Sequence, residues 1–293
     1  MRAGVGLVLG GAMSVQFGSA VAALLFPRAG AAGVVTLRLL IAAVLLLVVC
    51  RPRLRGHSRG DWAVAAGFGI ALAGMNTLFY QAIDRIPLGP AVTLEVLGPL
   101  TLSVVAARRR ASWLWAGLAL AGVALLGYQG FDRLDPAGAA FALGAGVMWA
   151  GYIVFSARAG QRFPKADGLA LAMGAAALLS LPLGARPHLL EPVTLGLGTV
   201  VALMSSVLPY TLELRALRRL PTSTFAVLMS LGPALAVLAG WTVLGQRLSA
   251  LELVAVALVI AASVGAVRTS QPTPRPGSRP ARSPETRPAL LPD

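Results

Sequence analysis

Apolar residues run along this chain in ten long stretches, at approximately 5–25, 33–50, 62–83, 87–107, 112–128, 137–157, 168–183, 193–214, 221–244 and 251–267. A helix crosses a bilayer with about 20 mostly apolar residues. Each stretch is therefore read as a membrane-spanning helix, and the segments between them as short loops. The first stretch is longer than the apolar region of a signal peptide and no cleavage site follows it, so it is counted as a helix. The pattern predicts an all-α membrane protein of ten transmembrane helices.

The polar positions set an orientation. With the N-terminus inside, 19 of the 25 Lys and Arg residues fall on the cytoplasmic side, among them Arg51, Arg53, Arg55 and Arg59, then Arg108, Arg109 and Arg110. The outer loops hold one each: Arg28, Arg85, Arg133, Arg186 and Arg247. Cytoplasmic loops collect Lys and Arg. The alternation runs through all ten crossings, and nine or eleven helices would break it. Both termini are expected inside. Residues 268–293 are rich in Pro, Ser and Arg and predict a disordered basic cytoplasmic tail, with attraction to anionic lipid as its one candidate role.

Composition sharpens the class. Hydrophobic residues make up 57% of the chain, charged residues 12%, and mean hydropathy is +0.77. The charged share is half the ~25% of a soluble domain, which excludes an ordinary soluble enzyme and a disordered chain. A net charge of +14 would suggest nucleic acid in a soluble protein. Here the basic loops account for it, and no nucleic-acid partner is expected. Cys50 stands alone, so an intrachain disulfide is impossible. His57 and His188 lie in loops on opposite sides and form no metal pair. No Walker A loop is present, and no cofactor or metal is expected.

The chain also repeats itself. Arg85-Ile86-Pro87 and Leu97-Gly98-Pro99 recur as Arg219-Leu220-Pro221 and Leu231-Gly232-Pro233, every position displaced by 134. Leu9-Gly10 maps onto Leu143-Gly144 at the same displacement. Farther on, Arg110-Ala111-Ser112 answers Arg247-Leu248-Ser249 at 137. The units are 4–130 and 137–267. Five helices per unit make the two inverted relative to each other, the arrangement of secondary transporters with a substrate site near the midplane.

Several segments resemble the drug/metabolite transporter superfamily in its EamA-type form: GMNTLFY at 74–80, IPLGP at 86–90, TLEVLGP at 93–99, LPYTLE at 208–213 and RLPTSTF at 219–225. Within it the chain is similar to the threonine/homoserine exporter group of the bacterial inner membrane, over essentially 4–267. The resemblance implies two five-helix units and export of small amino acids coupled to the proton gradient. It departs from the pattern twice: Gly232 stands where the family usually has Glu, and Gln246 where it usually has Glu after Gly. Any coupling role of those two acids is absent or moved.

Glu95 is the leading candidate for substrate binding and proton coupling. It lies eight residues into the fourth helix, roughly 12 Å deep at ~1.5 Å per residue, where an ionised carboxylate is costly. Such a group can hold a proton in one state and a cation in another; the bland reading is a Glu that fixes packing. Arg38, about five residues from the outer end of its helix, has two readings: snorkelling or a structural pair, and binding a substrate carboxylate or Glu95. Asn76 and Tyr80 share a helix face. Tyr210, the repeat mate of Asn76, and Glu213 follow Pro209, whose ring frees a backbone carbonyl suited to an ion or ammonium. Glu213 is equally read as a partner of Arg215 or Arg218. Gln16, with Met13 on the same face, and Trp149 with Tyr152 on the sixth helix are expected to line a central cavity, or to bond between helices. Pro99 and Pro233 are paired kinks, candidate hinges. The cavity is expected between helices one, three, four, six, eight and nine, with the two halves rocking about it. The alternatives are an exporter of another metabolite or toxic compound, and a non-transporting receptor or assembly protein. Oligomeric state is not legible.

Overall fold

The computed structural model describes residues 2–107, 110–128, 135–164, 166–184, 189, 191–217, 219 and 227–269. The helices are α1 (Arg2–Leu24), α2 (Phe26–Cys50), α3 (Arg59–Ile83), α4 (Leu88–Glu95), α5 (Leu97–Ala107), α6 (Arg110–Tyr128), α7 (Pro136–Arg162), α8 (Asp167–Gly184), α9 (Pro192–Ala202), α10 (Leu208–Leu217), α11 (Gly232–Leu244) and α12 (Ala250–Thr269). A π-helical turn, Leu203–Val207, joins α9 to α10. Among the described residues, eight spans are long and apolar enough to cross a membrane, and Trp113–Leu125 and Pro192–Val207 are shorter apolar helices. The tail at 270–293 lies outside the described residues.

Local chemistry sets the helix starts. Ser58 and Asp61 form a reciprocal capping box at α3, each side chain satisfying a backbone N–H at the helix start. Ser249 and Glu252 make the same exchange at α12. Asp135 accepts from the Ala137 N–H at 3.0 Å and Pro136 opens α7, where proline loses nothing because that N–H has no helical partner.

Prolines account for the breaks. The fourth run is two helices, with Val96 between α4 and α5. Pro99 has no N–H for the Glu95 carbonyl, and it disfavours helix at the preceding residue. The ninth run breaks at Ser230–Leu231, two residues before Pro233; position 230 is the repeat mate of 96. The eighth run carries the π turn immediately before Pro209.

Packing is mainly between the two halves of the sequence. The longest interfaces join α3 to α7, α2 to α8 and α6 to α12. The halves are interleaved, each of these interfaces pairing a helix of the first half with one of the second. Close approach relies on missing side chains. A Cβ on Gly98 would collide with the backbone carbonyl of Gly146, and one on Gly146 would meet the Glu95 carbonyl at 2.5 Å. Salt bridges Arg162–Asp61 (3.3 Å) and Arg85–Asp135 (3.7 Å) tie α3 to α7 at both ends. Large apolar side chains face outward, Leu114 being 74% exposed and Trp113, Val147 and Trp241 also open. An apolar surface of that extent is stable against lipid, not water.

Candidate functional site

A cavity of about 190 Å³ lies inside the bundle, lined from α1, α2, α3, α4, α7, the π turn, α10 and α11. Six of the nine expected binding residues line it: Gln16, Arg38, Asn76, Glu95, Trp149 and Tyr152. Pro233 also lines it, and Pro99 does not. Tyr210 and Glu213 fall on α10, but their side chains lie outside the described residues.

Glu95 closes α4 at the helix break. It is buried and makes no hydrogen bond or ion pair with a described residue. An acid at the end of a broken helix, facing a cavity and without a hydrogen-bond partner among the described residues, is available to a ligand or a proton. Asn76 sits on α3 and lines the same cavity. Its Nδ2 donates to the Leu72 carbonyl at 2.8 Å, which leaves its oxygen for other donors.

Arg38 does not snorkel. It is only 9% exposed, held on α2 by three hydrogen bonds from separate nitrogens. Nη2 donates to the Ser205 carbonyl at 2.9 Å, Nη1 to the Tyr80 hydroxyl at 3.1 Å and Nε to Ser206 Oγ at 3.4 Å. The guanidinium also lies 5.6 Å from the Tyr80 ring centre, a cation–π distance. Charged groups in a bilayer turn inward to such partners. Arg38 and Glu95 thus line one cavity, and an ion pair between them, one of the readings of Arg38, is not formed.

Pro209 explains why Arg38 is held there. Its missing N–H leaves two carbonyls without a helical donor: Ser205 in α register and Met204 in π register. Arg38 takes the first, and Ser14 Oγ on α1 takes the second at 2.6 Å. The freed carbonyl expected to ligate an ion is therefore occupied by an arginine. Tyr80 is fully buried behind Arg38 and does not line the cavity. Its role is to hold the guanidinium. Met13 turns outward and is exposed.

The structure adds Ser205, Met75, Phe79 and Met229 to the cavity. Met229 is the repeat mate of Glu95, a substitution of apolar for acidic at equivalent positions. Ser205 Oγ is buried without a partner, and so is Gln16 Oε1. Gln246 lies elsewhere: its Oε1 accepts from the Leu88 N–H at 3.0 Å and caps α4 from the other half of the chain.

Comparisons with known proteins agree with this architecture. The EamA-like transporter family matches residues 136–268. The threonine/homoserine exporter RhtA of Salmonella typhimurium strain LT2 is 40% identical over 267 residues, 89% of this chain and 90% of that protein. RhtA of Escherichia coli K12 is 40% identical over 261 residues, 87% and 88% of the two chains. The uncharacterized transporter YwfM of Bacillus subtilis strain 168 is 29% identical over 235 residues, 76% and 79%. One solved crystal structure superposes with a TM-score of 0.54 at 21% identity, over 87% of this chain and 96% of that one, a likeness of fold.

Proposed function

Because this chain belongs to the EamA-like transporter family, we propose that it exports small amino acids of the threonine/homoserine kind, with the cavity between Glu95 and Arg38 as the substrate site. It is a transporter and not an enzyme, a multi-pass protein of the bacterial inner membrane. The observation that carries the substrate class is one cavity presenting a buried acid and a buried guanidinium that are not paired with each other. A zwitterion is the complement of that arrangement. Its ammonium meets Glu95. Its carboxylate meets Arg38, which has five N–H groups and commits three to the protein, with the unpartnered Ser205 hydroxyl beside it.

The rest of the mechanism follows from charge. When the ammonium leaves, Glu95 takes a proton in place of carrying an uncompensated charge in the membrane. A proton entering as an amino acid departs makes the cycle an antiport. Ten crossings in two inverted five-helix units, both termini inside, supply the two access states. The α3–α7 pair, clasped at both ends, stays fixed. The helices broken at Val96 and at Ser230–Leu231 change angle around the site, with Pro99 and Pro233 marking the bends.

Counterflow in proteoliposomes tests this. Unlabelled threonine inside should drive uptake of labelled threonine, and no flux of any amino acid in a panel would remove the reading while leaving the fold intact.

A further inference from the structure

The repeat mates Gly98 and Gly232 have opposite surroundings. Gly98 is packed shut on the backbone of Gly146, whereas a Cβ built on Gly232 meets only Gln16 Nε2 at 3.9 Å and Val92 Cγ1 at 4.0 Å. The space beside Gly232 is a notch in the wall of the cavity, which Gly232, Gln16 and Val92 all line. One flank is an amide and the other a methyl. Gln16 is 9% exposed, its Oε1 is buried without a partner, and its side chain makes no hydrogen bond with a described residue. A buried amide left unsatisfied is unfavourable, and its Nε2 lies 3.9 Å from where a Gly232 Cβ would stand, so a group in the notch reaches the amide.

We infer that the notch formed by Gly232, Gln16 and Val92 is the side-chain subsite, and that it selects a short side chain carrying a hydroxyl next to a carbon group. This rests on the amino-acid reading of the cavity. A hydroxyl both donates and accepts, so it suits either atom of the Gln16 amide. A second polar group on the same side chain would face the Val92 methyl without a partner. Val92 is one helical turn before Glu95 on α4, so a molecule whose ammonium is at Glu95 has its side chain within reach of the notch. Glycine at 232 supplies the room. In this chain a branched residue there would fill the notch.

Threonine and valine differ only by hydroxyl against methyl, so their flux ratio reads the subsite directly. Wild-type protein in proteoliposomes should carry threonine about tenfold faster than valine, the worth of one hydrogen bond of ~1.4 kcal/mol. Gln16→Leu should bring the ratio to about one. Gly232→Val should lower threonine flux about tenfold and leave that of alanine, which ends at Cβ, within about twofold. Equal wild-type rates for threonine and valine overturn the inference whatever the variants do. So does a Gln16→Leu protein with the wild-type ratio, or a Gly232→Val protein that loses threonine and alanine alike. Should Gln16→Leu fail to reach the membrane, Gly232→Val and the wild-type ratio decide. Wild-type protein that carries no amino acid at all removes instead the reading beneath it.

Discussion

At the scale of single residues, the site depends on how Arg38 is held. Three of its nitrogens are bound to Tyr80, Ser206 and the Ser205 carbonyl. A lysine has a point charge and no fork, so Arg38→Lys should keep the charge but lose the geometry. The expected result is a KM for threonine raised at least about tenfold with expression unchanged. Tyr80→Phe removes one acceptor for a charged donor and should weaken binding by about 1.5–3 kcal/mol, read in the same exchange assay. Most of the polar lining is legible in the sequence because an ionisable or amide side chain stands out in an apolar run, as Gln16, Arg38, Asn76 and Glu95 do. Ser205 does not, since serine is common in such runs and its orphaned hydroxyl is a property of the packing. The depth of Arg38 was also hidden. Distance from a helix end cannot tell a side chain that snorkels from one that meets a neighbouring helix.

At the scale of elements, the prolines were visible and their consequences only partly so. A break near Pro99 and near Pro233 follows from the missing N–H. The π turn before Pro209 does not, because it is stabilised by donors from other helices, Ser14 and Arg38. Pro209→Ala should return an N–H to the Ser205 carbonyl, relieve about 3 kcal/mol of helix destabilisation, and release Arg38 Nη2. Thermal stability in detergent should rise while the exchange rate falls; a variant that loses stability and keeps its rate contradicts this account of the turn. The glycine pair gives a second check. Gly98→Ala drives a Cβ into the Gly146 backbone and should reduce the folded yield sharply, whereas Gly232→Ala meets nothing nearer than 3.9 Å and should not. Sequence repetition alone makes those two positions look equivalent.

At the scale of the whole molecule, the apolar runs and the all-helical class are plain from the sequence, since charged residues are half as frequent as in an average soluble domain. The interleaving of the halves is not, because a repeat fixes equivalence and says nothing about which helices touch. The long α2–α8, α3–α7 and α6–α12 interfaces each join the two halves, and in the proposed cycle the broken helices carry the motion. The proposed orientation has its own test. Cys50, the single cysteine, ends α2 on the side assigned to the cytoplasm. A membrane-impermeant thiol reagent should modify it in inside-out vesicles and not in right-side-out ones, and the reverse would invert the topology.

The central claim is that Glu95 binds the substrate ammonium and a proton in turn. It is tested most directly by threonine transport into proteoliposomes under an imposed pH gradient, wild type against Glu95→Gln, across a range of pH. The account predicts that the wild type accumulates threonine in response to the gradient and that the rate depends on pH, while Glu95→Gln, lacking the charge and the titrating group, does neither. A Glu95→Gln protein that matches the wild type at every pH would contradict it.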